Sequence, residues 1–148
     1  MSSHRLGVDT NVFVYAMDRA APEHKTAVEL LEKIGRRDYI GVISCQNLAE
    51  LYGVTTSKKA MGDKVLSAYE AGDRLGDIID GRVFEVVYPS GGTIDVFRDL
   101  LARVKPRGQL VHDMFLAATL LSNGVDMLLT ANGRDFSKIR ELKIVDLA

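Results

Sequence analysis

Leu6-Gly7-Val8-Asp9-Thr10-Asn11 is a short apolar run that ends in three polar residues. A run of this length without polar alternation reads as a buried strand, closed by a turn at Asp9. Similar runs recur at Tyr39-Ile40-Gly41-Val42-Ile43, Val83-Phe84-Glu85-Val86-Val87-Tyr88, Asp126-Met127-Leu128-Leu129-Thr130 and Leu142-Lys143-Ile144-Val145-Asp146. Helical spacing fills the gaps. A first helix follows Pro22, with Ala27, Leu30, Leu31 and Ile34 on its inner face and Gly35 at its end. Ser44 stands where an N-cap belongs, ahead of a second helix carrying Leu48, Leu51 and Val54. Residues 61–80 repeat apolar positions at helical spacing (Met61, Val65, Tyr69, Leu75, Ile78, Ile79), with glycines at 62, 72 and 76. Pro89-Ser90-Gly91-Gly92 reads as a turn before a helix from Thr93 to Val104, which Lys105-Pro106-Arg107-Gly108 breaks. Leu110 to Leu121 is apolar nearly all round, a buried helix that Gly124 ends.

Strands alternating with helices predict an α/β protein with a parallel sheet covered on both faces. At 148 residues, with no linker long enough to divide it, the chain reads as a single domain over 1–148. Its one cysteine, Cys45, has no internal disulfide partner and reads as a small buried residue in a reducing compartment. No apolar run approaches the roughly 20 residues that span a bilayer. Asp9 and Asn11 interrupt the first apolar stretch, which therefore does not read as a secretory signal. The expected location is cytoplasmic. A net charge of −1 excludes a broadly basic nucleic-acid coat. Arg36-Arg37, Lys58-Lys59 and Lys105-Pro106-Arg107 are the local basic clusters, and each reads as solvated surface charge.

In open parallel sheets, ligands bind beyond the carboxyl ends of the strands. Four acids belong there: Asp9 after the first strand, Glu50 on the helix after the second, Asp113 in the first turn of the apolar helix, and Asp135 beyond the fourth strand. Each has a plain structural reading. Asp9 can make an Asx-turn, Glu50 can be an exposed helix residue, Asp113 a solvent-facing first-turn acid, and Asp135 a cap before Phe136. Their joint placement is what these readings do not predict. Converging carboxylates at roughly 4 Å repel by about 4 kcal/mol per contact at an effective dielectric of about 20. A hard divalent cation reverses that sign, and all-oxygen ligands favour Mg²⁺ or Mn²⁺ over zinc. His4, His24 and His112 show no ligand spacing, and His112 reads as a surface histidine.

Four segments then carry a resemblance: Val8-Asp9-Thr10-Asn11, Ser44-Cys45-Gln46-Asn47-Leu48-Ala49-Glu50, His112-Asp113-Met114-Phe115-Leu116-Ala117-Ala118, and Leu129-Thr130-Ala131-Asn132 running on to Asp135-Phe136. In this order and spacing the chain resembles a PIN domain, and most closely the ribonuclease toxins of the VapC kind. The resemblance spans the full chain. It implies a three-layer α/β/α sandwich around a central parallel sheet of about five strands, and Mg²⁺- or Mn²⁺-dependent cleavage of RNA. It implies that Asp9, Glu50 and Asp113 are catalytic and metal-binding, with Asp135 in a fourth position that Asn132 also fits by location. Asn11, Ser44, Thr130 and Asn132 match supporting polar positions. A protein antitoxin and a homodimer are implied as partners.

Two other readings stand beside it. One is a PIN fold that binds RNA or protein without cleaving; the presence of all four acids counts against it. The other is a phosphate-handling enzyme. A haloacid-dehalogenase-type phosphatase needs a second Asp where this chain has Asn11, and a receiver domain needs a lysine that Thr130-Ala131-Asn132 does not supply. No glycine-rich phosphate loop is present.

Overall fold

A computed structural model describes residues 4–147, so the two ends of the expected domain, residues 1–3 and 148, lie outside the described residues. Five strands form one parallel sheet: β1 (His4–Val8), β2 (Tyr39–Ser44), β3 (Phe84–Val87), β4 (Met127–Thr130) and β5 (Lys143–Asp146), in the order β3-β2-β1-β4-β5. The helices are α1 (Thr10–Ala16), α2 (His24–Gly35), α3 (Cys45–Thr55), α4 (Lys58–Met61), α5 (Ala68–Asp80), α6 (Gly91–Val104) and α7 (Leu110–Ser122).

Successive strand residues face opposite sides of the sheet, and the two cores divide accordingly. Val42, Val87 and Leu128 pack with Leu100, Val104, Met114, Leu116 and Leu120 of α6 and α7. Leu6, Val8, Ile43 and Leu129 pack with Val12, Phe13, Ala27, Ile34, Leu48 and Leu51 of α1, α2 and α3. This is the expected α/β/α sandwich. Gly7, between Leu6 and Val8, turns to the α7 side, where a Cβ would stand 2.9 Å from Leu120 Cδ1. The missing side chain lets α7 lie close against the centre of the sheet.

Chain direction makes this position functional. From β1 the chain moves outward to β2 and β3, then crosses by α6 and α7 to β4 on the other side of β1. The reversal falls between β1 and β4, and a crevice opens there at the carboxyl ends of the strands.

The structure departs from the expected elements in several places. Thr10–Ala16 is a helix, not only a turn, although β-branched and aromatic residues (Thr10, Val12, Phe13, Val14, Tyr15) have modest helix propensity. Its drive is burial of Val12 and Phe13 beneath the sheet. Helix α6 starts at Gly91, so Gly91 and Gly92 form its first turn, and the Thr93 hydroxyl accepts from the Ser90 N–H at 2.9 Å. The helical stretch expected over 61–80 is divided: α4 ends at Gly62, whose φ of +57° favours glycine, and Gly62–Lys64 is a 3-10 turn. Val65 falls in the gap before α5, and Tyr69 and Ile79 are exposed. Ala71, Leu75 and Ile78 make the inner face of α5 instead. Cys45, expected to be buried, is half-buried at the start of α3. Among the described residues no helix is long and apolar enough to cross a membrane.

Candidate active site

Asp9 sits in the crevice between β1 and β4. Its backbone N–H donates to Leu129 O at 2.9 Å, which extends the β1–β4 ladder by one residue. The chain then turns into α1, and Asp9 caps that helix by accepting from the Thr10 N–H at 2.8 Å on Oδ1. The anticipated local turn is therefore present, yet it uses only part of the carboxylate. Asn47 Nδ2 also donates to Oδ1 at 3.3 Å. On the other oxygen, Oδ2, Thr130 Oγ1 donates at 2.8 Å and Asn11 Nδ2 at 3.5 Å. Asp9 is 8% exposed, and burial pushes its carboxyl above the usual range despite these donors. Its neighbour Glu50 adds to the upward push.

The supporting residues expected from sequence form one connected lattice. Ser44 caps α3 by accepting from the Asn47 N–H at 3.1 Å, and its hydroxyl donates to Asn47 Oδ1 at 2.9 Å. Asn47 Nδ2 in turn donates to Thr10 Oγ1 at 3.0 Å, and Thr10 Oγ1 donates to Glu50 Oε2 at 3.0 Å. Asn11 Oδ1 accepts from the Ala131 N–H at 3.1 Å, which ties α1 to the end of β4. Thr130 Oγ1 also accepts from the Asn132 N–H at 3.1 Å. Thr10 and Asn47 are further buried members of the lattice, beyond the residues expected from sequence. The spacing that could have found Asn47 is Ser44-x-x-Asn47, the cap distance, with a buried amide next to Leu48.

Helix α7 brings Asp113 over the same crevice. Asp113 is half-buried, and its carboxyl is raised from the ordinary 3.8 to about 6. Burial is the largest cause, followed by the negative charges of Asp9, Asp135 and Glu50; His112 offsets them in part. Asp9, Asp135 and Glu50 thus all lie near enough to Asp113 for their charges to act on it. Glu50 is exposed, as is Asp135 in the 3-10 turn Gly133–Phe136 that follows β4. Phe136, the next residue, is buried and anchors that turn.

Two clefts meet at these acids. One, of about 620 Å³, runs past Glu50, His112, Asp113, Asn132 and Asp135. The other, of about 440 Å³, runs past Asp9, Asn11, Tyr15, Glu50, Asp113 and Asn132. Glu50, Asp113 and Asn132 belong to both. Asn132 therefore lies in the crevice with Asp135, and of the two only Asp135 carries charge.

Among the described residues, no three His, Cys, Asp or Glu side chains are grouped closely enough to form a ready-made cage. The arrangement is a loose ring of oxygens open to solvent at Glu50 and Asp135. Such a donor set fits a magnesium-like ion, which keeps several waters and takes only one or two carboxylates. It does not fit zinc, since among the described residues that line these clefts His112 is the only nitrogen or sulfur ligand type.

A family model for the PIN domain matches residues 7–142. The chain belongs to the PIN domain family. That span runs from β1 to the residue before β5 and includes all four acids. Solved structures agree with this PIN assignment, and VapBC structures are among them, as the four sequence segments anticipate. A chain of VapBC2 from Rickettsia felis, bound to a DNA fragment from their promoter, is 25% identical at a TM-score of 0.64, covering 96% of this chain and 98% of that one. FitAcB from Neisseria gonorrhoeae is 14% identical at a TM-score of 0.69, covering 96% and 97%. VapC20 of Mycobacterium tuberculosis, a sarcin-ricin loop cleaving toxin, is 17% identical at a TM-score of 0.61, covering 83% and 86%. No curated protein matches the chain in sequence.

Proposed function

We propose that this PIN domain protein is a Mg²⁺- or Mn²⁺-dependent endoribonuclease, the toxin of a toxin–antitoxin pair. The observation that carries the reading is Asp113. A half-buried carboxyl raised to about 6 by burial and by three neighbouring acids is costly unless the site has a use for concentrated negative charge. Asp9 and Asp113 would hold the ion, with Glu50 completing its shell of oxygens from the solvent side and Asp135 adding charge. When bound, a hard divalent ion lowers the pKa of a coordinated water and stabilises charge on a phosphoryl oxygen. Glu50, its Oε2 fixed by Thr10, orients the attacking water and takes its proton. Asn11, Ser44, Thr130, Thr10 and Asn47 hold the carboxylates in register. No covalent nucleophile is needed; Cys45, at the start of α3, has no part in this scheme.

The partners follow from the relatives. The VapBC2 pair and a toxin–antitoxin complex from Klebsiella pneumoniae are among the similar structures, and VapC20 is a sarcin-ricin loop cleaving toxin, which supports a protein antitoxin and an RNA substrate for this chain. A homodimer and a cytoplasmic location complete the proposal.

The test is incubation of purified protein with mixed RNAs and Mn²⁺ or Mg²⁺, repeated with EDTA and with Asp9→Asn. Cleavage lost in both controls supports the reading. Cleavage that survives either one overturns the metal–carboxylate mechanism. RNA retained in a shift assay without any cleavage establishes the binding module instead.

A further inference from the structure

Glu50 is exposed, yet both of its carboxylate oxygens have fixed partners. Thr10 Oγ1 donates to Oε2 at 3.0 Å, and Gln46 Nε2 donates to Oε1 at 3.1 Å. Gln46 Nε2 also donates to the His112 carbonyl at 3.2 Å. One amide nitrogen thus joins α3, which carries Glu50, to the first turn of α7, one residue before Asp113. The amide orientation follows from chemistry: Glu50 Oε1 and the His112 carbonyl are both acceptors, so the nitrogen must face them. The cost falls on the other end of the side chain. Gln46 Oε1 is buried and has no hydrogen-bond partner among the described residues. Packing or solubility would not select such a side chain, because a leucine would leave no orphan acceptor and a solvated residue would leave none buried.

We propose that Gln46 is a positioning residue that clamps Glu50 to the first turn of α7 and so sets the separation between Glu50 and Asp113. Its role rests on the nuclease reading above. Without the clamp, Glu50 keeps one tether to Thr10 and swings toward solvent. The carboxylates then present an ill-matched pair of oxygens to an ion, while Asp9 and the core are untouched.

The experiment is a double-mutant cycle on the full chain with Gln46→Met, Glu50→Ala and the pair. Methionine keeps the unbranched length of glutamine and loses both donated bonds. Mn²⁺ affinity is read by titration calorimetry, RNA cleavage by kcat and KM, and folding by thermal unfolding. The expected result is a fall of about five- to tenfold in Mn²⁺ affinity and in kcat for Gln46→Met, with KM changed by less than about twofold. On the Glu50→Ala background, Gln46→Met has no further effect, because the group it positions is gone. An undiminished effect on that background overturns the proposal and leaves the nuclease reading standing. Mn²⁺ binding by a wild type that fails to cleave RNA overturns the nuclease reading instead, and the Mn²⁺ cycle still decides the role of Gln46. If Gln46→Met does not fold, Gln46→Leu carries the same cycle.

Discussion

Thr130 Oγ1 donates to Asp9 Oδ2 at 2.8 Å, joining the last residue of β4 to the residue that follows β1. These two strands flank the point where the chain reverses its direction of growth across the sheet. The bond therefore holds a buried carboxylate at the one place in the fold where a crevice is unavoidable. It also makes Asp9 depend on a strand that is more than a hundred residues away in sequence.

Replacing that donor has a calculable effect. Thr130→Val keeps the shape of the side chain, removes the bond to Asp9, and leaves the Asn132 N–H without its acceptor. A hydrogen bond to a buried charged group contributes about 1.5–3 kcal/mol, and the loss in urea-unfolding free energy at neutral pH should lie in that range. The Asp9 carboxyl should rise further, and cleavage should fall with it.

Asp113 predicts a stability–pH relation with a definite sign. Its carboxyl is raised from 3.8 to about 6 in the fold, so between those values the folded chain holds a proton that the unfolded chain has released. Stability from this group is complete below about 3.8 and is lost as the pH rises through about 6. Asp113→Asn, which never ionises, should stabilise the ion-free protein at pH 7 by about 1–2 kcal/mol after allowance for solvent screening. At pH about 4 the variant and the wild type should agree, as read by denaturant unfolding at the two pH values.

The same proton competes with the ion. At limiting Mg²⁺, cleavage should rise with pH through about 6, and raising Mg²⁺ should move that midpoint downward. A midpoint that is independent of Mg²⁺ would place the titrating group elsewhere.

Gly41 tests the packing that carries the site. A Cβ there would stand 2.7 Å from Phe84 Cδ1 and 2.7 Å from Ile34 Cγ2, and Phe84 packs against Phe13 of α1 at a ring separation of 5.5 Å. Gly41→Ala overfills this core and should cost about 1–3 kcal/mol in unfolding free energy.

What the sequence shows, and what it hides, follows from how local each signal is. The five strands stand out because each is a short apolar run between polar turns, and parallel strands covered on both faces need no alternation. The carboxylates stand out in the sequence for a related reason: Asp113 interrupts an otherwise apolar helix, and Asp9 stops an apolar strand. Helix α1 was hidden because Val12, Phe13 and Val14 suit a strand as well as a helix, and only the sheet beneath them decides. Gln46 and Asn47 were hidden because an amide in the first turn of a helix resembles an ordinary solvated residue. Their partners, Asp9 and His112, come from β1 and α7, and no local pattern joins those elements to α3.

The acids at the β1–β4 crevice are proposed to act together through a divalent ion on RNA. The most direct test is the single-turnover rate of RNA cleavage as a function of Mg²⁺ concentration, for wild type and Asp113→Asn side by side. The wild type should show a saturable Mg²⁺ requirement and no cleavage without the ion, and the variant should lose about a hundredfold or more. Cleavage without a divalent ion, or equal rates for the two proteins, would contradict this mechanism.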